Sequence, residues 1–143
     1  MVLFEVVNCR RKVCRVYAIG PSSQKCHLID FLNELEANYD ADRDSLYALF
    51  DFTVDKGFEL IKNKSALLRD GVFRVREGNL RVFWFYDEGK IIVCTHGIIK
   101  KKQKADKEDV KYAIQLRKKY FSLNRSEIPM ILYEEYPHEK GNI

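Results

Sequence analysis

Val72-Phe73-Arg74-Val75-Arg76-Glu77-Gly78-Asn79-Leu80-Arg81-Val82-Phe83-Trp84-Phe85-Tyr86-Asp87-Glu88-Gly89-Lys90-Ile91-Ile92-Val93-Cys94-Thr95-His96 is the stretch that decides the architecture. β-Branched and aromatic residues dominate it, and Gly78-Asn79 and Glu88-Gly89 interrupt it as two-residue turns. It therefore predicts three antiparallel strands, 72–77, 80–87 and 90–98, joined by tight hairpins. Turn length sets the register, and register sets which side chains share a face. Across Gly78-Asn79 the expected pairs are Glu77–Leu80, Arg76–Arg81, Val75–Val82, Arg74–Phe83 and Phe73–Trp84. Across Glu88-Gly89 they are Asp87–Lys90, Tyr86–Ile91, Phe85–Ile92, Trp84–Val93, Phe83–Cys94, Val82–Thr95 and Arg81–His96. One face then holds Phe73, Val75, Val82, Trp84, Val93 and Tyr86 as a core. The other holds Arg74, Arg76, Arg81, Phe83 and His96, with Val72, Phe85 and Ile92 at its far end.

This register puts Arg76, Arg81 and His96 in one row. Like charges directly opposite one another oppose pairing by some tenths of a kcal/mol, and no acidic residue of the three strands falls in the row to neutralise them. Arginine's planar fork matches phosphate oxygens, and charge-assisted bonds of that kind are strong. The run Lys100-Lys101-Lys102-Gln103-Lys104 begins four residues after His96 and belongs at the same end of the sheet. Phe83 beside the arginines offers a ring on which a nucleobase can stack. Each feature also has a duller reading: solvated arginines, a satisfied structural histidine, a solvated lysine loop, and a phenylalanine that is ordinary core beneath the last helix.

Outward from this meander, Val2–Val7 and Val13–Ile19 read as extended and pair across Asn8–Lys12. Gly20-Pro21-Ser22-Ser23 breaks the pattern. Leu28, Phe31, Leu32 and Leu35 give a helix over roughly 24–38. After a polar turn at Asn38–Asp44, Leu46, Leu49, Phe50, Thr53 and Val54 give a second helix that ends at Gly57. The two predict an antiparallel helix hairpin, followed by a lysine-bearing loop. Asp106 is placed to cap a last helix over about 107–121. Fold class is thus α+β, an antiparallel sheet with an N-terminal helix hairpin and a C-terminal helix, in the order β-α-α-β-β-β-α.

With 143 residues, 46% hydrophobic and 13% aromatic, the chain is one globular domain large enough for its own core. Residues 122–143 hold Arg125 and Lys140 against Glu127, Glu134, Glu135 and Glu139, so 1–121 keep 23 basic against 17 acidic residues. A basic body suits a polyanionic partner. The acidic tail reads as an extension that covers part of the body, the cationic face included, and not as a second domain. No apolar run approaches the ~20 residues of a membrane span, so no membrane partner is expected. The start, Met1-Val2-Leu3-Phe4-Glu5, lacks the basic region and cleavage site of a signal peptide, and a cytoplasmic protein is expected. Cys9, Cys14 and Cys26-His27 match no zinc-ligand spacing, and neither metal nor other cofactor is expected. Phosphate-loop, nucleophile-elbow and H-E-x-x-H patterns are missing, and the carboxylates sit on helix faces and turns.

Gly71-Val72-Phe73-Arg74-Val75-Arg76, Leu80-Arg81-Val82-Phe83-Trp84 and Thr95-His96-Gly97-Ile98-Ile99-Lys100-Lys101-Lys102 carry a family resemblance. They resemble the Gly-Leu-Trp-Glu-Leu-Arg, Tyr-Arg-Val-Phe-Tyr and Leu-His-Gly-Phe-x-Lys-Lys-Thr segments of the RelE superfamily, specifically the phage-derived HigB-like toxins of type II toxin–antitoxin systems. The resemblance covers roughly 13–121, within a toxin domain expected over 1–121. Phe73, Arg74 and Lys102 depart from the usual Trp, Glu and Thr, and Ala105-Asp106 from Thr-Pro.

It implies a ribosome-dependent mRNA endonuclease, with mRNA on the ribosome and a cognate antitoxin as partners. Attack of a ribose 2′-OH on the adjacent phosphate builds a dianionic centre that Arg76 and Arg81 can stabilise without metal. His96 or Lys101 can move the protons, and the residues do not decide which is base and which is acid. Arg74, Phe83, Lys100, Lys102 and Lys104 are the accompanying RNA contacts. Two other readings fit the same basic face: an RNA-binding module without cleavage, and a protein-interaction module for an acidic partner.

Overall fold

The alternating apolar residues of 72–99 do form a meander, and it lies within a wider sheet than the sequence predicts. The computed structural model describes residues 1–9, 12–100 and 107–134. Its strands are β1 (Val2–Glu5), β2 (Arg15–Gly20), β3 (Ser65–Arg69), β4 (Val72–Glu77), β5 (Leu80–Asp87), β6 (Ile91–Ile99) and β7 (Met130–Leu132). The helices are α1 (His27–Asn33), α2 (Asp40–Lys56), α3 (Glu59–Asn63) and α4 (Lys107–Ser122). Sheet order is β3-β4-β5-β6-β2-β1-β7.

The class is α+β, but the antiparallel-only sheet is corrected: β2 pairs parallel with β6, and β1 parallel with β7. The extended segments 2–7 and 13–19 do pair, as antiparallel β1 and β2, and the predicted elements are joined by α3, β3 and β7. The 58–70 loop is in fact α3 and β3, an edge strand whose Ala66 and Leu67 are exposed and carry no strand-like alternation. The predicted helix hairpin is also replaced. The first helix is only seven residues long and packs on β6 and β2, whereas α2 packs on β2 and β4. The sheet, not the partner helix, takes both apolar stripes.

One core lies between α1–α3 and the sheet, around Leu28, Leu46, Phe50, Val82 and Trp84. Phe73 stacks on Trp84 with ring centroids 4.5 Å apart, and the Trp84 Nε1–H donates to Ser65 Oγ at 2.9 Å. The opposite face is covered by α4, whose Ala113 and Ile114 sit over Val72 and Phe83 and whose Tyr120 joins Phe85 and Val93.

Register holds across the first hairpin and fails across the second. Every expected β4–β5 pair is present, from Phe73↔Trp84 to Glu77↔Leu80. Gly78 alone takes a positive φ there, +58°, as a type II′ turn requires. The β5–β6 loop has three residues, because the first pair is Asp87↔Ile91. Glu88 is poorly suited to the left-handed conformation that the first position of a type I′ turn needs. Gly89 (φ +78°) and Lys90 (φ +61°) take it instead. That slip of one moves Val93 to the α4 face and brings Ile92 and Cys94 beneath Trp84.

A bulge between Phe83 and Trp84 then adds a second slip, leaving Thr95 as the extra residue. The two slips restore parity. His96 faces the same way as predicted, but opposite Phe83 and not Arg81, and Ile98 is the residue opposite Arg81.

The tail folds back to the other edge of the sheet. Leu3 N–H donates to Pro129 O at 2.9 Å, Tyr133 N–H to Glu5 O at 3.0 Å, and Arg125 bonds Asp87 at 3.2 Å. Residues 122–134 thus run from the Asp87 end of β5, which Arg125 touches, to β7, four places from β5 in the sheet order, and Arg125 meets β5 at the end opposite Arg81; 135–143 lie outside the described residues. No described helix is long and apolar enough to cross a membrane. Ending the chain at Ser122 removes buried Ile128 and the β1–β7 hydrogen bonds, and the unfolding free energy in urea is expected to fall by about 2–4 kcal/mol.

Candidate anion-binding site

Arg74, Arg76 and Arg81 share the α4 face of β4 and β5, because Arg76 pairs directly with Arg81 and Arg74 lies two residues along β4. Arg76 is exposed and Arg74 half-buried, while Arg81 is only 6% exposed. The Arg81 guanidinium is held in place by the chain itself: its Nη1 donates to Gly78 O at 2.8 Å and to Leu80 O at 2.9 Å. Burial, and then the neighbouring Arg76 and Arg74, hold Arg81 below the usual arginine pKa range. Burial and Arg76 do the same to Arg74.

Among the described residues no carboxylate forms an ion pair with any of the three. The Nε of Arg74 is buried without a hydrogen-bond partner. A buried unpaired donor costs about 1–3 kcal/mol, so an orphan of this kind calls for an explanation. Three crowded guanidiniums with a spare donor have the chemistry of a site for an anion.

The basic run starts at the same turn. Lys100 N–H donates to Asn79 O at 2.7 Å, and its side chain is exposed. Lys101, Lys102 and Lys104, expected beside it, lie outside the described residues, as does Asp106.

Two expected contributors do not join this cluster. Phe83 is fully buried between the sheet and α4, against Val72, Ala113 and Ile114, so it has no face for a base; the core reading of this residue is correct. His96 stands on the far side of Phe83 from Arg74 in the strand order. Its ring stacks on Phe83 (4.7 Å, 9°) and meets Tyr112 edge-on (4.9 Å, 80°). Thr95 Oγ1 lies 2.9 Å from its Nδ1, and Asp109 Oδ1 3.1 Å from its Nε2. Both ring nitrogens thus have protein partners, and the histidine fastens β6 to the first turn of α4. Burial lowers its pKa below the usual 6.5; the bond and charge of Asp109 oppose that shift, and His27 adds to it.

The cleft of about 540 Å³ that borders His96 runs between His27 and Asp30 of α1, with Glu34 just past its end, and Asp109 and Tyr112 of α4, and none of the three arginines lines it. Asp109 and His27 were not legible as neighbours of His96. In sequence Asp109 suits only the positive end of α4, and nothing local ties either residue to β6. Among the described residues no group of three His, Cys, Asp or Glu converges as a metal site, and no disulfide joins the four cysteines.

Residues 30–118 match the family model described as phage-derived protein Gp49-like (DUF891). The chain belongs to that family. Gp49-like proteins are related to toxin–antitoxin systems. The matched segment contains α2, α3, β3–β6 and most of α4, and with them all three arginines, Lys100–Lys104 and the His96–Asp109 tie. A search of curated proteins gives no match.

The lowered His96 pKa has a sign that can be checked. Between the folded and unfolded pKa values the unfolded chain binds the extra proton, so stability rises with pH there. The His96 contribution is complete above about 6.5 and is lost as the pH falls toward its folded value. In urea melts from pH 7.5 to 5, His96→Gln is expected to flatten that decline relative to wild type; equal slopes would show that His96 is not its source.

Proposed function

We propose that this Gp49-like protein is the toxin of a type II toxin–antitoxin pair, and that it cleaves mRNA on the ribosome at the Arg74–Arg76–Arg81 cluster. The observation that carries the reading is the set of three crowded guanidiniums without a carboxylate partner, one with an unsatisfied buried donor, on a chain of a toxin–antitoxin-related family. An intramolecular 2′-OH attack forms the O2′–P bond, breaks the P–O5′ bond, and leaves a 2′,3′-cyclic phosphate and a 5′-hydroxyl. Charge gathers on the non-bridging oxygens as the phosphorane forms, which is where fixed cations count most. Arg81, locked on two carbonyls, is the preorganised cation; exposed Arg76 opposite it and Arg74 complete the cradle.

The 2′-proton must leave and a proton must reach O5′. His96 is spoken for at both nitrogens, so these transfers fall to the lysine segment, with Lys101 the first residue beyond the Asn79–Lys100 bond. Crowded cations favour the neutral amine that a base needs. Lys102 and Lys104 then extend the phosphate contacts along the RNA, and a cognate antitoxin would silence the protein by covering this face.

The runner-up, an RNA-binding module that leaves its RNA intact, draws on one fact: His96, the described histidine on the arginine face, is bonded at both ring nitrogens. On ribosome-bound mRNA, Arg81→Ala and Arg76→Ala are each expected to slow cleavage by about 10²–10³-fold, the usual effect of removing one transition-state donor, and to relieve growth arrest on induction. If both variants cut as wild type does, the arginine centre is wrong. If wild type binds RNA with a steep salt dependence and yields no cyclic-phosphate product, the binding module is the correct reading.

A further inference from the structure

The Gly78-Asn79 turn carries more than a chain reversal. Its Gly78 carbonyl accepts the Arg81 Nη1–H at 2.8 Å, and its Asn79 carbonyl accepts the Lys100 N–H at 2.7 Å. One turn thus holds both the buried guanidinium and the residue from which the basic segment departs. The turn is in turn gripped from outside the meander. Asp42, in the first turn of α2, accepts the Asn79 N–H on Oδ2 at 3.0 Å. Its carboxylate lies so close over Gly78 that a Cβ there would stand 1.8 Å from Oδ1. Asn79 is 37 residues from Asp42 in sequence, and the bond spans the interval between the helical layer and the tip of the hairpin.

We propose that Asp42 is a positioning residue for the anion site: through the Gly78-Asn79 turn it holds Arg81 and Lys100 in the geometry that binds phosphate. This inference rests on the function proposed above and adds a residue that touches no substrate. Hairpin tips are otherwise mobile, because an exposed two-residue turn has few contacts to restrain it. Here a carboxylate–amide bond restrains the tip, and bonds from an ionised acceptor are among the stronger ones. Glycine at 78 serves both demands, since it supplies the positive φ and leaves room for the carboxylate. Small displacements of a group that stabilises a transition state are costly in rate even when binding survives.

The test uses the full chain with Asp42→Ala and Asp42→Asn. Asparagine keeps an oxygen that can accept the Asn79 N–H, whereas alanine removes it. The readouts are kcat and KM on ribosome-bound mRNA, the thermal midpoint, hydrogen exchange at the Asn79 and Lys100 amides, and the Arg81 side-chain NMR signals. Asp42→Ala is expected to lower kcat by about ten- to a hundredfold with KM within about twofold, to speed exchange at both amides, and to broaden the Arg81 signals. Asp42→Asn is expected to recover most of each.

If Asp42→Ala keeps wild-type kcat, exchange and Arg81 signals, the inference is overturned. The same holds if Asp42→Asn is as impaired as alanine, which would make the effect one of charge, or if lost activity merely follows the unfolded fraction. Should wild type itself cut no RNA, the endonuclease reading falls alone, and the exchange and NMR measurements still decide whether Asp42 holds Arg81.

Discussion

β5 has no solvent face between Leu80 and Phe85, and the rest of the molecule follows from that constraint. Val82 and Trp84 point into the core beneath α1–α3, while Phe83 and Phe85 point into the layer under α4. A strand buried on both faces must place each polar group against a partner, since an isolated buried charge is far costlier than a buried amide. Arg81 is the exception that β5 must accommodate. It does so by bending back to the carbonyls of Gly78 and Leu80, which satisfies Nη1 and leaves the positive charge uncompensated by any described carboxylate. Stability alone gives no reason to keep such a residue there. A charge-matched ligand, as in the function proposed above, would supply one.

α4 divides the face it covers into two chemical environments. Its middle buries Val72 and Phe83, and its first turn ties down His96 through Asp109. Arg76 stays exposed beyond that cover, with Arg74 half-buried beside it. Hydrophobic cover and open cationic surface therefore sit side by side on one sheet. The open part is bounded by the hairpin tip, which α2 anchors, and by Lys100, which begins the basic run. The tip is tied to α2 through the Asp42 carboxylate and to β6 through the Lys100 amide.

Much of this was legible, and the failures are specific. Gly78-Asn79 is a strong hairpin signal, and the β4–β5 register followed from it residue by residue. Glu88-Gly89 is a weaker one; a three-residue loop displaced it because Glu88 is a poor candidate for positive φ. Thr95 carries no local mark of a bulge, since a threonine is as good a strand residue as any. Asp70-Gly71, a hairpin signal as strong as any in the chain, announces β3 as clearly as the later turn announces β5. Ser65–Arg69 itself lacks β-branched residues and alternation, so nothing ahead of that turn reads as a strand. The tail strand Met130–Leu132 is three residues long and pairs in parallel, which leaves no periodicity to find.

Alternation, turn chemistry and charge run along the chain itself, so the sequence alone determined the meander, the face shared by Arg74, Arg76 and Arg81, and the helix that follows. What it could not determine is anything settled between segments far apart. The parallel pairing of β2 with β6, the docking of β7 on β1, the burial of Phe83, and the partners of His96 were all decided by tertiary structure. The physical reason is that a strand's own pattern states which side chains are apolar, whereas the neighbour that buries them is set by competition among all available surfaces. His96 shows both halves at once: two compensating slips kept it on the predicted face and moved it to a different neighbour.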